Sequence, residues 1–301
     1  MRISSAQIHQ QGTSAMLRQQ AKLAKTELQL ASNRRMLSPA DDPNGSARLL
    51  ALNQMRDSTA QFQRNADFAE SRLELEETAL ASAGELLQRV RELAVRANNG
   101  ALNAEDRGAI AAEVREHIDG LLQLANTRDE TGGYLFAGFQ TGTVPFTRDA
   151  AGNVVYNGDQ GQRYLQVGPT FQVPVGDPGS DIFMLESSAA GGTSSVFAVL
   201  DDFATALDAN APGATIIADL DAALTKVLTA RGDVGTRLNA IDGQRSNNES
   251  FVLLIEQHRS ELEDLDYGEA ISRFNQEMLA LQAAQQSFVK VQGLSLFNYL
   301  R

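Results

Sequence analysis

Three histidines, His9, His117 and His258, are the side chains best suited to proton transfer or metal ligation, and none sits at a spacing that completes a known ligand motif. Each is read as a surface or interface residue. The run Asp41-Asp42-Pro43-Asn44-Gly45 gathers oxygen ligands as a calcium loop does, but the alternating ligand positions and the closing Glu are missing. A turn accounts for it better, with Asp42 to Gly45 reversing the chain and Ser46 capping the helix that follows. No glycine cluster leads into Lys-Ser or Lys-Thr, so a phosphate loop is excluded, and there is no dinucleotide fingerprint. No Ser/His/Asp set can be argued from spacing. Neither a catalytic residue nor a cofactor or metal site is expected, and an enzyme has no positive support.

Charge and composition narrow the partners. A net charge of −12 over 301 residues argues against nucleic acid, whose phosphates need a basic face. The sign is uneven, however. Residues 1–40 carry Arg2, Arg18, Lys22, Lys25, Arg34 and Arg35 against Glu27, while residues 249–269 hold seven acids against Arg259. Solvated helix faces would explain both runs; mutual attraction of the two ends in an antiparallel pair is the sharper expectation. There is no cysteine, so disulfides and thiolate sites are excluded. The opening MRISSAQIHQQGTSAM lacks the apolar block of a cleavable secretory signal, and no stretch has the length of a membrane span.

The elements that must carry any function are helical at both ends. From Phe62 the residues Ala66, Ala69, Leu73, Leu80, Ala83, Leu87, Val90, Ala94 and Ala97 recur at spacings of four and three, with Glu76 as the exception, which predicts one long helix stopping at Asn98-Asn99-Gly100. A second helix is expected after Asn103, turning Ile110, Val114, Ile118, Leu121 and Ala125 inward, so the two form an antiparallel hairpin. Between Gly132 and Gly213 lie 13 of the 24 glycines, five of the seven prolines and seven of the 13 phenylalanines, the composition of short strands and turns. Hairpins are predicted across Asp149-Ala150-Ala151-Gly152 and across Gly168-Pro169-Thr170, with Pro174 on an edge strand. Helix returns from Val196 and again from Ile216, with Arg245 and Asn248 as polar interruptions of its apolar stripe.

The expected fold is mainly α with an inserted small β domain, a long antiparallel helical rod whose N- and C-terminal helices pair as a coiled coil. Its segments are a coiled-coil arm at 1–40, a helical core hairpin at 41–140, an outer β-rich insert at 141–214, a helical return at 215–264 and a second arm at 265–301. Met16, Leu23, Leu30 and Leu37 repeat every seven residues in the first arm; Ile271, Phe274, Met278, Leu281 and Phe288 form the stripe of the second. Both stripes are narrow and need a partner. The arms are expected to become ordered when neighbouring copies pack on them.

Particular residues then point to a family. Arg34-Arg35-Met36-Leu37-Ser38-Pro39-Ala40-Asp41-Asp42-Pro43-Asn44-Gly45-Ser46-Ala47 resembles the N-terminal region of bacterial flagellins, and Leu87 to Val95 with Asn98-Asn99-Gly100 resembles the flagellin core helix and its stop. Gly132-Gly133-Tyr134-Leu135-Phe136-Ala137-Gly138-Phe139 and the stretch from Leu262-Glu263-Asp264-Leu265-Asp266-Tyr267 to Leu296-Phe297-Asn298-Tyr299-Leu300 are similar to the hook-associated protein 3 family of hook-filament junction proteins within the flagellin group. The resemblance covers about two thirds of the chain and is generic over 141–214. It implies a structural axial protein of the bacterial flagellum, exported through the flagellar type III apparatus without a cleaved signal peptide. The implied partners are hook-associated protein 1, flagellin, copies of the chain itself and an export chaperone at the C-terminal tail. On this reading the assembly residues are Leu23, Leu30, Leu37, Ile271, Phe274, Met278, Leu281, Phe288, Leu294 and Phe297. Flagellin itself and a cytoplasmic coiled-coil adaptor are the rival readings.

Overall fold

A computed structural model describes residues 5–100, 102–185, 194–211, 213 and 215–293. Helix α1 spans Ser5–Ser32, α2 Pro43–Ala97 and α3 Ala104–Ala125. Strands β1 (Phe146–Arg148), β2 (Val154–Tyr156), β3 (Tyr164–Gln166) and β4 (Gln172–Pro174) lead to the short α4 (Gly179–Phe183), β5 (Met184–Leu185) and β6 (Ser194–Ser195). Three helices close the described chain: α5 (Val196–Asp208), α6 (Ile216–Glu263) and α7 (Tyr267–Gly293). The chain divides into two compact units, Met1–Ser58 with Phe251–Arg301, and Thr59–Ser250.

In the Thr59–Ser250 unit, the predicted α2 seam from Ala66 to Ala97 is buried at every position, and Glu76 is as buried as its apolar neighbours. The α3 residues Ile110, Val114, Ile118, Leu121 and Ala125 face the same core. Asn103 starts α3 with a reciprocal capping box: it accepts the Asp106 N–H at 2.8 Å while Asp106 accepts its own N–H. Arg89 reaches Glu113 at 3.0 Å across the α2/α3 hairpin.

Both predicted hairpins form as separate two-stranded antiparallel ribbons, with Phe146 opposite Tyr156 and Tyr164 opposite Pro174. In the first turn Asp149 accepts the N–H groups of Ala151 and Asn153, and Gly152 supplies φ +93°, which a side chain would resist. Pro174 lies on a strand that pairs on one side alone, so its missing N–H costs nothing. Four of the phenylalanines concentrated in this region, Phe136, Phe146, Phe183 and Phe197, converge: Phe146 lies 5.0 Å from Tyr156, 5.4 Å from Phe183 and 5.3 Å from Phe197, ring centre to ring centre. They share one continuous core with α2, α3, α5 and α6.

The polar interruptions of α6 tie that helix to the strands. Asn248, buried, donates to the Val167 carbonyl at 3.0 Å and accepts from Gln244 at 2.8 Å, and Arg245 pairs with Glu70 at 2.6 Å. Replacing Asn248 by leucine strands the Val167 carbonyl in the core. It should lower the stability of this unit by about 1–3 kcal/mol in a urea titration.

The Met1–Ser58 and Phe251–Arg301 unit holds an antiparallel pair of α1 and α7 together with the first turns of α2 and the last turns of α6. Gln19 donates to the Glu277 carbonyl at 3.2 Å, and a bridge joins Arg34 to Asp264 beyond the helix ends. Two expectations are corrected here. Leu37 does not extend the heptad, because α1 ends at Ser32 and Asn33 follows in a left-handed conformation, φ +55°. The turn at 42–45 is already helix: Asp42 caps α2 by accepting the Gly45 N–H at 2.8 Å, Pro43 opens the first turn, and Ser46 lies inside it.

Candidate assembly surface

The seam between α1 and α7 is built from small and polar residues alternating with large apolar ones. On α1 the seam takes Gly12, Met16, Gln19, Leu23, Thr26 and Leu30, with Ser14 and the buried Gln29 beside it; on α7 it takes Ala270, Phe274, Glu277, Leu281, Ala284 and Phe288, with Arg273 beside it. Each series steps by four and three, the geometry of a coiled-coil seam. Gly12 matters because a Cβ there would fall 2.8 Å from the Phe288 ring.

The structure therefore divides the residues singled out from sequence. Leu23, Leu30, Phe274, Leu281 and Phe288 lie in the α1/α7 seam. Ile271 and Met278 do not, because Ala270, Glu277 and Ala284 take the alternate positions one residue earlier, where short side chains at 270 and 284 let the helices approach. Ile271 is 50% exposed and Met278 40%, and Leu37 is also exposed. Leu294 and Phe297 lie outside the described residues.

Ile271 and Met278 belong to a second apolar stripe along α7 with Tyr267 and Val289. Helix α1 carries its own, Leu17, Ala21, Ala24, Leu28 and Ala31, all exposed at four-and-three spacing. Leu50 and Met55 on α2 and Phe251, Leu253 and Leu254 on α6 extend the exposed apolar surface of this unit. Leu17, Leu50, Met55, Phe251, Leu253 and Leu254 were not singled out in sequence, whereas Ala24, Leu28 and Ala31 read there as support for the Met16, Leu23 and Leu30 repeat and lie instead on this second stripe. An open groove of about 530 Å³ lined by Met36, Leu37, Pro39, Pro43, Leu50 and Asn53 adds to it.

The asymmetry between the units is large. Among the described residues, 13 of the 20 exposed large apolar side chains lie in the terminal unit, against three of the 43 buried core residues, Ile255, Leu265 and Ala270. The larger unit has a finished core, whereas the terminal one exposes most of its apolar surface, as an interaction site does.

The opposite charges of the two ends meet at one place. Arg34 Nε lies 3.0 Å from Glu263, and the Arg35 N–H donates to the Glu263 carbonyl at 2.8 Å. Most of the remaining charge is spent locally. Lys25 pairs with Asp41, whose carboxylate is held below its ordinary range by that ammonium and by the N–H groups of Leu37 and Ser38, and Arg259 pairs with Glu256. Pairs like these, with at least one partner open to solvent, are screened and contribute less than the burial of one apolar side chain. They set register, and apolar surface supplies the drive.

His117 and His258 show no convergent chemistry. His258 Nδ1 lies 3.3 Å from Glu261 and His117 Nε2 3.8 Å from Glu113, and among the described residues no group of three or more His, Asp or Glu could hold a metal ion. Among them, too, no helix is long and apolar enough to cross a membrane.

Known proteins match this architecture. Residues 3–141 match the bacterial flagellin N-terminal helical region and residues 217–300 the bacterial flagellin C-terminal helical region. The chain is 32% identical to flagellar hook-associated protein 3 of Escherichia coli, over 99% of each chain. It is 29% identical to that of Salmonella typhimurium over the full length of both. The crystal structure of Xanthomonas campestris FlgL superposes with a TM-score of 0.61 at 27% identity, covering 69% of this chain and 99% of that one. With helical flagellin regions at both ends and end-to-end identity to these relatives, the chain belongs to the flagellar hook-associated protein 3 family.

Proposed function

We propose that the protein is a structural subunit of the bacterial flagellum that joins the hook side to the filament by packing its terminal helices against neighbouring subunits. The observation that carries this reading is the unfinished core of the terminal unit, with apolar stripes on α1 and α7 turned away from their shared seam. Burying the exposed parts of Ile271, Met278, Leu279 and Val289 would contribute about 1–2 kcal/mol each before entropic costs, which favours a marginal helix pair on assembly. The partners are copies of the chain, hook-associated protein 1 on one side, flagellin on the other, and an export chaperone on the C-terminal tail before secretion. No reaction is assigned to it.

Labelling the protein on detached flagella tests the reading. A thin band at the hook end is expected. Label along the whole filament would make the chain a filament subunit instead, and label confined to the cell body would favour a cytoplasmic adaptor.

A further inference from the structure

Glu76 is the one acid in the α2 seam, and its residue is fully buried in the Thr59–Ser250 unit. Its Oε1 accepts the Asp177 N–H at 3.0 Å, whereas Oε2 is buried without a hydrogen-bond partner. The charged groups around it come from every neighbouring element. Asp177, in the segment after β4, takes both terminal nitrogens of Arg237 on α6 at 2.9 Å and the Gln162 amide at 2.7 Å. Arg72, one turn earlier on α2, donates to the Val175 carbonyl at 2.7 Å and pairs with Asp129, and Arg163 repels it from further out.

The two arginines that act on Glu76 are each already paired, Arg72 with Asp129 and Arg237 with Asp177, and Arg163 lies further out. An ionised Glu76 would have no counter-ion of its own, fully buried and with one oxygen unbonded, the arrangement in which burial costs most. We propose that Glu76 is a proton-held latch: neutral, it lets residues 175–178 seat on α2, and ionised, its unpaired buried charge beside the Asp177 carboxylate drives that segment off, although the Asp177 N–H bond itself favours the anion. Burial first, and the neighbouring Asp177 second, push its carboxyl up to about 8, against the pull of the Asp177 N–H, Arg237 and Arg72.

Between the ordinary 4.5 and about 8 the unfolded chain has lost this proton and the folded chain keeps it. The folded state binds more protons, so this group's contribution is complete below 4.5 and is lost as pH rises through about 8.

The full chain, with its glutamate carboxyl carbons labelled for NMR, tests the latch directly. Glu76 should titrate with a midpoint near 8, assigned by correlation to its own backbone so that no variant is needed. Amide protection across 164–176, measured relative to residues 80–97 of α2, should fall about tenfold or more between about pH 6 and pH 9.5 in the wild type and stay level in Glu76→Gln. A midpoint in the usual carboxylate range would overturn the proposal. So would an equal relative loss in the variant, or a fall in which 80–97 loses as much as 164–176.

Discussion

Replacing Arg72 by methionine should destabilise the Thr59–Ser250 unit by about 3–5 kcal/mol, the expected cost of leaving one member of a buried ion pair behind. The guanidinium has three obligations at once. It pairs with Asp129, and it donates to the Val175 carbonyl at 2.7 Å and to the Tyr134 carbonyl at 3.4 Å, fastening α2 to two segments far away in sequence. Methionine fills much of the volume, so the loss reports charge and hydrogen bonding rather than a cavity. Although burial opposes it, Asp129 is held below its ordinary range by hydrogen bonds from Thr131 and Gly133 together with the Arg72 charge. Those turn bonds keep Asp129 oriented but cannot replace its counter-ion. Adding Asp129→Asn to Arg72→Met should therefore recover more than about 1 kcal/mol, a coupling that additive sites would not show. Urea unfolding followed by near-ultraviolet circular dichroism reads the aromatic cluster of this unit. A loss below about 1 kcal/mol would mean that water, not Asp129, neutralises Arg72.

The long helices were legible in sequence because their burial is periodic. Every seam position of α2 from Ala66 to Ala97 is buried, and the Asn103 capping box and both hairpins lie where turn chemistry placed them. The exceptions to periodicity carried information of another kind. Glu76 and Asn248 break their stripes because each meets a backbone group on a segment brought in from 101 or 81 residues away, and no local pattern announces such a partner. The aromatic cluster was visible as composition, not as contacts. At the ends the difficulty was register: α7 has apolar residues on two adjoining faces, and spacing alone does not say which faces α1. The small residues Ala270 and Ala284 decide it, since close approach needs them, and a hydrophobicity count gives them little weight. Asp42-Pro43 was readable as cap and first turn, but the acidic pair and Asn44-Gly45 resemble a reverse turn equally well.

On the proposed function, that division of α7 into two faces should separate folding from assembly. Ile271→Asp combined with Met278→Asp should leave the isolated chain as stable as the wild type within about 0.5 kcal/mol, because both side chains already meet solvent. In cells the same double variant should be made at normal levels yet fail to hold filaments. It removes two apolar contacts, each worth about 1 kcal/mol for the half of the side chain still exposed, and asks an interface to bury two carboxylates, which costs more. Even 4 kcal/mol corresponds to roughly a thousandfold in an association constant, so shed filaments in the medium should be plain by microscopy. Leu281→Asp supplies the contrast: Leu281 lies in the α1/α7 seam, so its replacement should lower the helicity of the isolated chain as well as assembly. If Ile271→Asp with Met278→Asp left filaments attached, the exposed stripe would not be the assembly face and the seam residues alone would have to carry that role. If both variants lost helicity equally, the stripe would be part of the intramolecular pair. Normal folding with lost attachment is the outcome that only a surface held open for another subunit produces.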